Sequence, residues 1–313
     1  MRNDTTCMDP LEHVSSFLKP IFILEFVLGL PGNVFALWVF FFKSPWKAGN
    51  VYLFCLVTAD FLLLIGLPFR IDYLFRDEDW IFGEDFCRFV LYIVSVNYSA
   101  SMAFMTILAV DRFFRILRPH HPICRLSVRQ GIMMVSAVWV GILLIRLPPA
   151  LTLDLQYHTN TSKLTCEASL SWTSPSLGLR IYNSIHLTEV LVAFILVLYC
   201  FVRVFSYARE RQLKAHRRVN RAVRLLLFIV IMFVFCFLPT GISGILLQGF
   251  PCSEYLQLCL NISLAITYMN SALDQVIYCY SNAWFRDTLK AKSNSVVQTQ
   301  FKMSLKKNKK PKP

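Results

Sequence analysis

Uncharged apolar blocks of bilayer length recur along the chain, separated by short polar connections. The clearest runs from Phe89 to Val110, 22 residues without a charge, between Cys87-Arg88 and Asp111-Arg112-Phe113. A helix needs about 20 such residues to cross the hydrocarbon core. At about 1.5 Å per residue, Cys87 and Arg112 then lie roughly 37 Å apart, on opposite membrane faces. The same reading places further helices at residues 17–42, 51–75, 128–147, 179–208, 217–247 and 254–280. The fourth is expected to stop at Pro148-Pro149, because paired prolines do not continue a helix. The expected fold is an all-α membrane protein, a seven-transmembrane helix bundle over residues 17–281. Residues 1–16 are a tail without the basic start and apolar core of a cleavable signal. Residues 282–292 carry Trp284, Phe285 and Leu289 among basic residues, the pattern of an amphipathic helix on the inner leaflet. Residues 293–313 form a basic tail suited to anionic lipid.

Composition agrees and charge orients the bundle. The chain is 56% hydrophobic and 16% charged, against about 25% charged in soluble domains. Its net charge of +13 is unevenly spread: 24 of the 32 Lys and Arg fall in alternate connections and after Arg286. The positive-inside rule makes those segments cytoplasmic, with the N-terminus extracellular. No soluble basic domain is present, so nucleic acid is not an expected partner. On this orientation Cys7, Cys87, Cys166 and Cys252 lie outside, where disulfides persist. Cys55, Cys200, Cys236 and Cys279 read as small apolar residues inside helices. Asn3 and Asn160 head glycosylation sequons on the outer side.

A cysteine at the outer end of the third helix and Asp111-Arg112-Phe113 at its inner end, with Gly32-Asn33 in the first helix and Ala59-Asp60 in the second, resemble the class A, rhodopsin-like G-protein-coupled receptors. The resemblance runs from about Phe17 to Lys292. It implies a plasma-membrane receptor, an agonist on the outside, and a heterotrimeric G protein and arrestin on the inside. It also implies a Cys87–Cys166 disulfide; Cys7 is paired with Cys252 as a guess, with Cys259 as the rival. An acid inside a membrane helix costs at least about 2.5 kcal/mol, and Asp60 stands where the family binds sodium. The matching oxygens are Ser101, Asn270, Ser271 and Asp274; a water-bridged network without an ion is the alternative. Arg112 resembles the arginine that meets the G protein, with Asp111 as its charge partner. Phe233, Phe237 and Pro239 resemble the helix-six switch, and Tyr278 closes the helix-seven motif. Gln275 and Ala193 replace the family's prolines in helices seven and five, changes expected to straighten both.

Four basic groups lie where a ligand reaches: Arg70, Arg146, Arg180 and His186. Arginine recognises carboxylate through paired hydrogen bonds; Arg180 reads first as a snorkelling interfacial side chain, and Arg70 equally as a structural partner. Glu189 is a candidate counter-ion for one of them. Ala36-Leu37-Trp38, Ala59-Asp60-Phe61-Leu62-Leu63, Asp79-Trp80, Phe82-Gly83, Asp111-Arg112-Phe113-Phe114-Arg115, Pro119-His120-His121 and Thr267-Tyr268-Met269-Asn270-Ser271 resemble the hydroxycarboxylic acid receptors and their relatives for oxidised eicosanoids. That implies a carboxylate agonist, Tyr268 in the ligand set, and an inhibitory-class G protein. The branch's helix-three arginine is absent from Val96-Asn97-Tyr98-Ser99-Ala100, which moves the anchor to Arg70 or Arg146. A hydroxy or oxo fatty acid is the favoured agonist and a small hydroxycarboxylic acid the alternative. An organic-anion transporter would show an internal repeat with interrupted helices, and none is visible. No nucleophile motif or metal-spaced histidine cluster suggests an enzyme.

Overall fold

The computed structural model of the protein describes residues 11–151, 157–158, 163–164, 166, 177–211, 217–250 and 253–291. Among the described residues, seven helices are long and apolar enough to cross a membrane. Helix α1 spans Leu11–Trp38 and ends in a five-residue π-turn, Val39–Lys43; α2 spans Ala48–Phe75, α3 Glu84–Leu117, α4 Val128–Leu151 and α5 Leu177–Glu210. Helix α6 is built from Arg217–Met232, a π-turn over Phe233–Phe237, and Leu238–Gly249. Helix α7 consists of Glu254–Tyr268 and Asn270–Ser281, and residues 283–291 form α8. A two-residue strand β1 (Tyr157–His158) pairs antiparallel with β2 (Lys163–Leu164).

Helix α3 is the central column, packed on α2, α4, α5 and α6. Its buried side chains, from Val96 through Phe104 and Met105 to Leu108, are the spine of the main core. Around it, α4 and α5 turn Leu144, Ile145, Val192 and Ile195 outward, the arrangement expected of helices that face lipid. Cys87 and Cys166 are disulfide-bonded and fully buried. This staple defines one end of the bundle. Beside it the α2–α3 turn closes on Trp80, whose indole nitrogen donates to Gly83 O at 2.8 Å. Gly83 has φ +85°, a conformation that favours glycine.

Several sequence expectations are corrected. Helix α1 starts at Leu11, inside the expected tail, because a helix outside the hydrocarbon is not limited by its thickness; the membrane-length part begins at Leu18. Helix α4 does not stop at Pro148 but runs through both prolines to Leu151. A proline φ near −65° suits a helix, and two prolines in its closing turns cost backbone bonds without unwinding it. Helix α7 is interrupted at Met269, although no proline stands there. The Thr267 hydroxyl bonds back to Ser263 O at 2.8 Å, competing with the helix ladder, and the Met269 N–H reaches both Ala265 O and Thr267 O. Helix α5, with Ala193, is continuous.

Cys259 is a free thiol. Cys7, Cys252, Asn3, Asn160 and residues 293–313 lie outside the described residues, as does the side chain of Arg180.

Candidate functional site

Four groups of polar residues interrupt the apolar bundle, in order from the disulfide end. At the first, Arg70 leaves α2 two residues after Pro68 and donates through Nη1 to Cys166 O at 2.5 Å. Its guanidinium lies 5.5 Å from the Tyr73 ring. Arg70 and Tyr268 line one narrow seam with Leu63, Gly66, Leu67, Val90, Ile93 and Val94, closed tightly enough to leave no room for a water molecule. Two of the expected ligand residues therefore converge, on α2 and α7, above an apolar wall supplied by α3. Asp72 turns away to pair with Arg76 at 2.7 Å.

The second group joins α3, α4 and α5. Arg146 is 1% exposed and forms an ion pair with Glu189. Its Nε donates to Ser99 Oγ at 2.7 Å and its Nη2 to His186 Nδ1 at 3.2 Å. With α4 extended to Leu151, Arg146 is not in the last turn, and its depth is what demands a counter-ion. The His186 ring lies 4.5 Å from that of Tyr98. Tyr98 donates to Phe237 O at 2.9 Å, so this group touches the α6 switch. At that switch Pro239 has no N–H to give, and the helix widens into the π-turn, with Leu238 N–H reaching five residues back to Phe233 O. The Thr267 hydroxyl of α7 shares its one proton between Ser263 O of its own helix and Cys236 O in that π-turn.

The third group surrounds Asp60, which is fully buried with Ser101, Ser271 and Asp274, while Asn270 is 2% exposed. Asp60 Oδ2 accepts from the Tyr278 hydroxyl at 2.6 Å and Oδ1 from Asn97 Nδ2 at 3.3 Å. Asn270 Nδ2 donates to Asp274 Oδ2 at 3.3 Å. Ser101 Oγ, Asn270 Oδ1 and Asp274 Oδ1 are buried without a hydrogen-bond partner among the described residues. Ser271 is drawn the other way, donating to Glu25 Oε1 at 2.6 Å. Glu25, fully buried in α1, is absent from the sequence expectation although a lone acid inside an apolar run marks it as plainly as Asp60.

At the far end, a cavity of about 410 Å³ is lined by Trp46, Asn50, Asp111, Arg112, Arg115 and Ser127, among others. Asp111 does not pair with Arg112. It takes both its bonds from Arg115 Nε, at 2.8 and 2.9 Å. Successive helix residues point about 100° apart, whereas residues four apart share a face. The half-buried Arg112 lines the cavity, and its Nε has no hydrogen-bond partner. Close by, Asn282 caps α8 by accepting from Phe285 N at 3.2 Å and ties it to Ser44 Oγ at 2.8 Å. Phe285 is buried against Phe40 and Tyr278, while Trp284 and Leu289 face outward.

Comparison with known proteins agrees with this geometry. Human oxoeicosanoid receptor 1 is 37% identical over 282 residues, covering 87% of this chain and 71% of that receptor. Human hydroxycarboxylic acid receptor 3 is 32% identical over 309 residues, covering 94% and 77%. The mouse 12-(S)-hydroxy-5,8,10,14-eicosatetraenoic acid receptor is 29% identical over 291 residues, covering 90% of each. The model of the 7 transmembrane receptor (rhodopsin family) matches residues 32–278, from the α1 glycine that meets α7 to the α7 tyrosine that meets Asp60. With those motifs in one bundle, stapled at one end and open around Arg112 at the other, the chain belongs to the rhodopsin family of seven-transmembrane receptors and is no enzyme.

Proposed function

We propose that this receptor is activated by an organic carboxylate, a hydroxy or oxo fatty acid of the eicosanoid type, and drives an inhibitory-class G protein. The N-terminus and the disulfide end face outward, since the basic connections belong to the other side. Arrestin is a further partner on the inner face. The observation that carries the reading is the seam at the outer end: one arginine and one tyrosine over an otherwise apolar lining. Few polar groups on a mostly hydrophobic wall are what an amphiphilic acid requires. The relatives supply the ligand class, through names that refer to hydroxycarboxylic and oxygenated eicosanoid acids. Arg70 is the anchor, because it sits at the seam and guanidinium binds carboxylate in a two-pronged geometry.

A hydrogen bond to a charged group contributes roughly 1.5–3 kcal/mol. Arg70→Ala is therefore expected to weaken an acidic agonist by about ten- to a hundredfold, and Arg70→Lys to recover part of the loss. The methyl ester should be weak on the wild type and little changed by Arg70→Ala. Equal loss for acid and ester, read in a cyclase-inhibition assay, would make Arg70 a support for the Cys166 loop and end the anchor assignment.

The Asp60 group is proposed to hold sodium in the resting receptor. The three buried oxygens without partners, on Ser101, Asn270 and Asp274, fit a hard cation that takes oxygen ligands.

A further inference from the structure

The seam beside Arg70 is closed, without room for a water molecule, whereas pockets for drug-sized ligands begin at roughly 300 Å³. A long-chain acid anchored there has to continue into the bundle. Val90 and Val94 of α3 line the seam, and Tyr98 follows one turn further along the same face. Around Tyr98 the surroundings change from apolar to polar. Arg146 can only donate, so His186 Nδ1 is the acceptor of their contact and the ring hydrogen of the neutral imidazole sits on Nε2. Three residues earlier on α5, and so on the same helix face, Asn183 brings an amide nitrogen. That Nδ2 is sealed from solvent and has no hydrogen-bond partner among the described residues. A buried donor left unmet costs about 1–3 kcal/mol. A plain hydrocarbon tail packed against Asn183 leaves the cost in place. A tail that carries a hydroxyl or carbonyl oxygen removes it.

We propose that Asn183, with His186 beside it, is the subsite that reads the oxygen function on the chain of a fatty acid whose carboxylate is held by Arg70. The inference rests on the carboxylate reading above. Ser99, Arg146 and Glu189 hold His186 in its tautomer and supply no direct contact to the ligand. Arg70 is tied to the carbonyl of Cys166, which is bonded to Cys87, and Tyr98 lies eleven residues beyond Cys87. That is about 16 Å along α3, less the turn by which Asn183 stands outward of His186, so the oxygen that is read lies roughly 12 Å deeper than the disulfide. Occupancy is felt at α6, because Tyr98 packs at 4.5 Å from His186 and donates to Phe237 O.

The test uses two twenty-carbon acids of equal unsaturation, one with a hydroxyl in the middle of the chain and one without. Nucleotide exchange on an added G protein is measured in membranes at matched surface expression. The wild type is expected to prefer the hydroxylated acid by about tenfold, the effect of roughly one hydrogen bond. Asn183→Leu should abolish that preference by weakening the hydroxylated acid alone, and Asn183→Ala should do so without added bulk. Arg70→Ala should weaken both acids together, which separates the two assignments. A preference that survives both Asn183 variants, or an equal loss for both acids in them, overturns the subsite. A wild type that answers neither acid overturns it together with the carboxylate reading.

Discussion

Asp60 joins four helices: its own α2, α7 through Tyr278, α3 through Asn97, and α1 through the Tyr278 hydroxyl, which lies 3.4 Å from Asn33 Oδ1. A cation placed among Ser101, Asn270 and Asp274 would add to this junction and favour whichever arrangement of helices forms it. Such an ion stabilises that arrangement by mass action, by about 1.4 kcal/mol when present at ten times its dissociation constant. Agonist affinity is therefore expected to fall up to about tenfold when sodium replaces a bulky organic cation at constant ionic strength. Asp60→Asn and Ser101→Ala should blunt the response, and an unaltered affinity in the wild type would remove the ion from the account. Asp60 and Asp274 are legible in the sequence because a charge inside an apolar run is costly and conspicuous. Glu25 carries the same mark and the sequence reading passes over it. Asn97, Ser99 and Asn183 carry none, since an uncharged polar side chain in a helix does not reveal which neighbour it meets.

Between elements, the replacement of a family proline by Gln275 has a packing consequence. The Gln275 amide lies against α1, where Nε2 donates to Leu28 O at 3.0 Å. A Cβ added at Gly32 would come within 2.1 Å of that amide. Glycine at 32 is therefore required by a close approach and not by a turn. Gly32→Ala displaces the far end of the Gln275 side chain and with it the hydrogen bond to Leu28 O, a loss of about 0.5–1.5 kcal/mol. Its melting temperature in detergent should fall measurably, and adding Gln275→Ala should lower it little further; a single variant that melts like the wild type would mean that α1 and α7 are not in close contact here. The positions of all seven helices are legible from apolar length, despite the charges that six of the seven carry within their spans. Their irregularities are not, because each depends on a partner. The break at Met269 needs Ser263 and Thr267 to compete with the ladder, and the π-turn before Pro239 places Cys236 O and Phe237 O where Thr267 and Tyr98 bond them.

Across the whole molecule, α3 links an agonist end to a partner end, and Arg112 offers a way to separate them. From Cys87 to Arg112 is roughly 37 Å of helix, so a change at Arg112 does not touch the seam. Nor does it deprive Asp111, which is 3% exposed and takes its bonds from Arg115. Arg112→Ala therefore removes a guanidinium from the wall of the 410 Å³ cavity without leaving a buried carboxylate unmatched. Arg115→Ala does the opposite, stripping Asp111 of its partner, and should lower surface expression. For Arg112→Ala the expected result is agonist affinity within about threefold of wild type, under 0.7 kcal/mol, with nucleotide exchange on the G protein reduced at least tenfold. If exchange were normal, or if affinity and exchange fell together, the cavity around Arg112 would not be the surface through which the receptor acts.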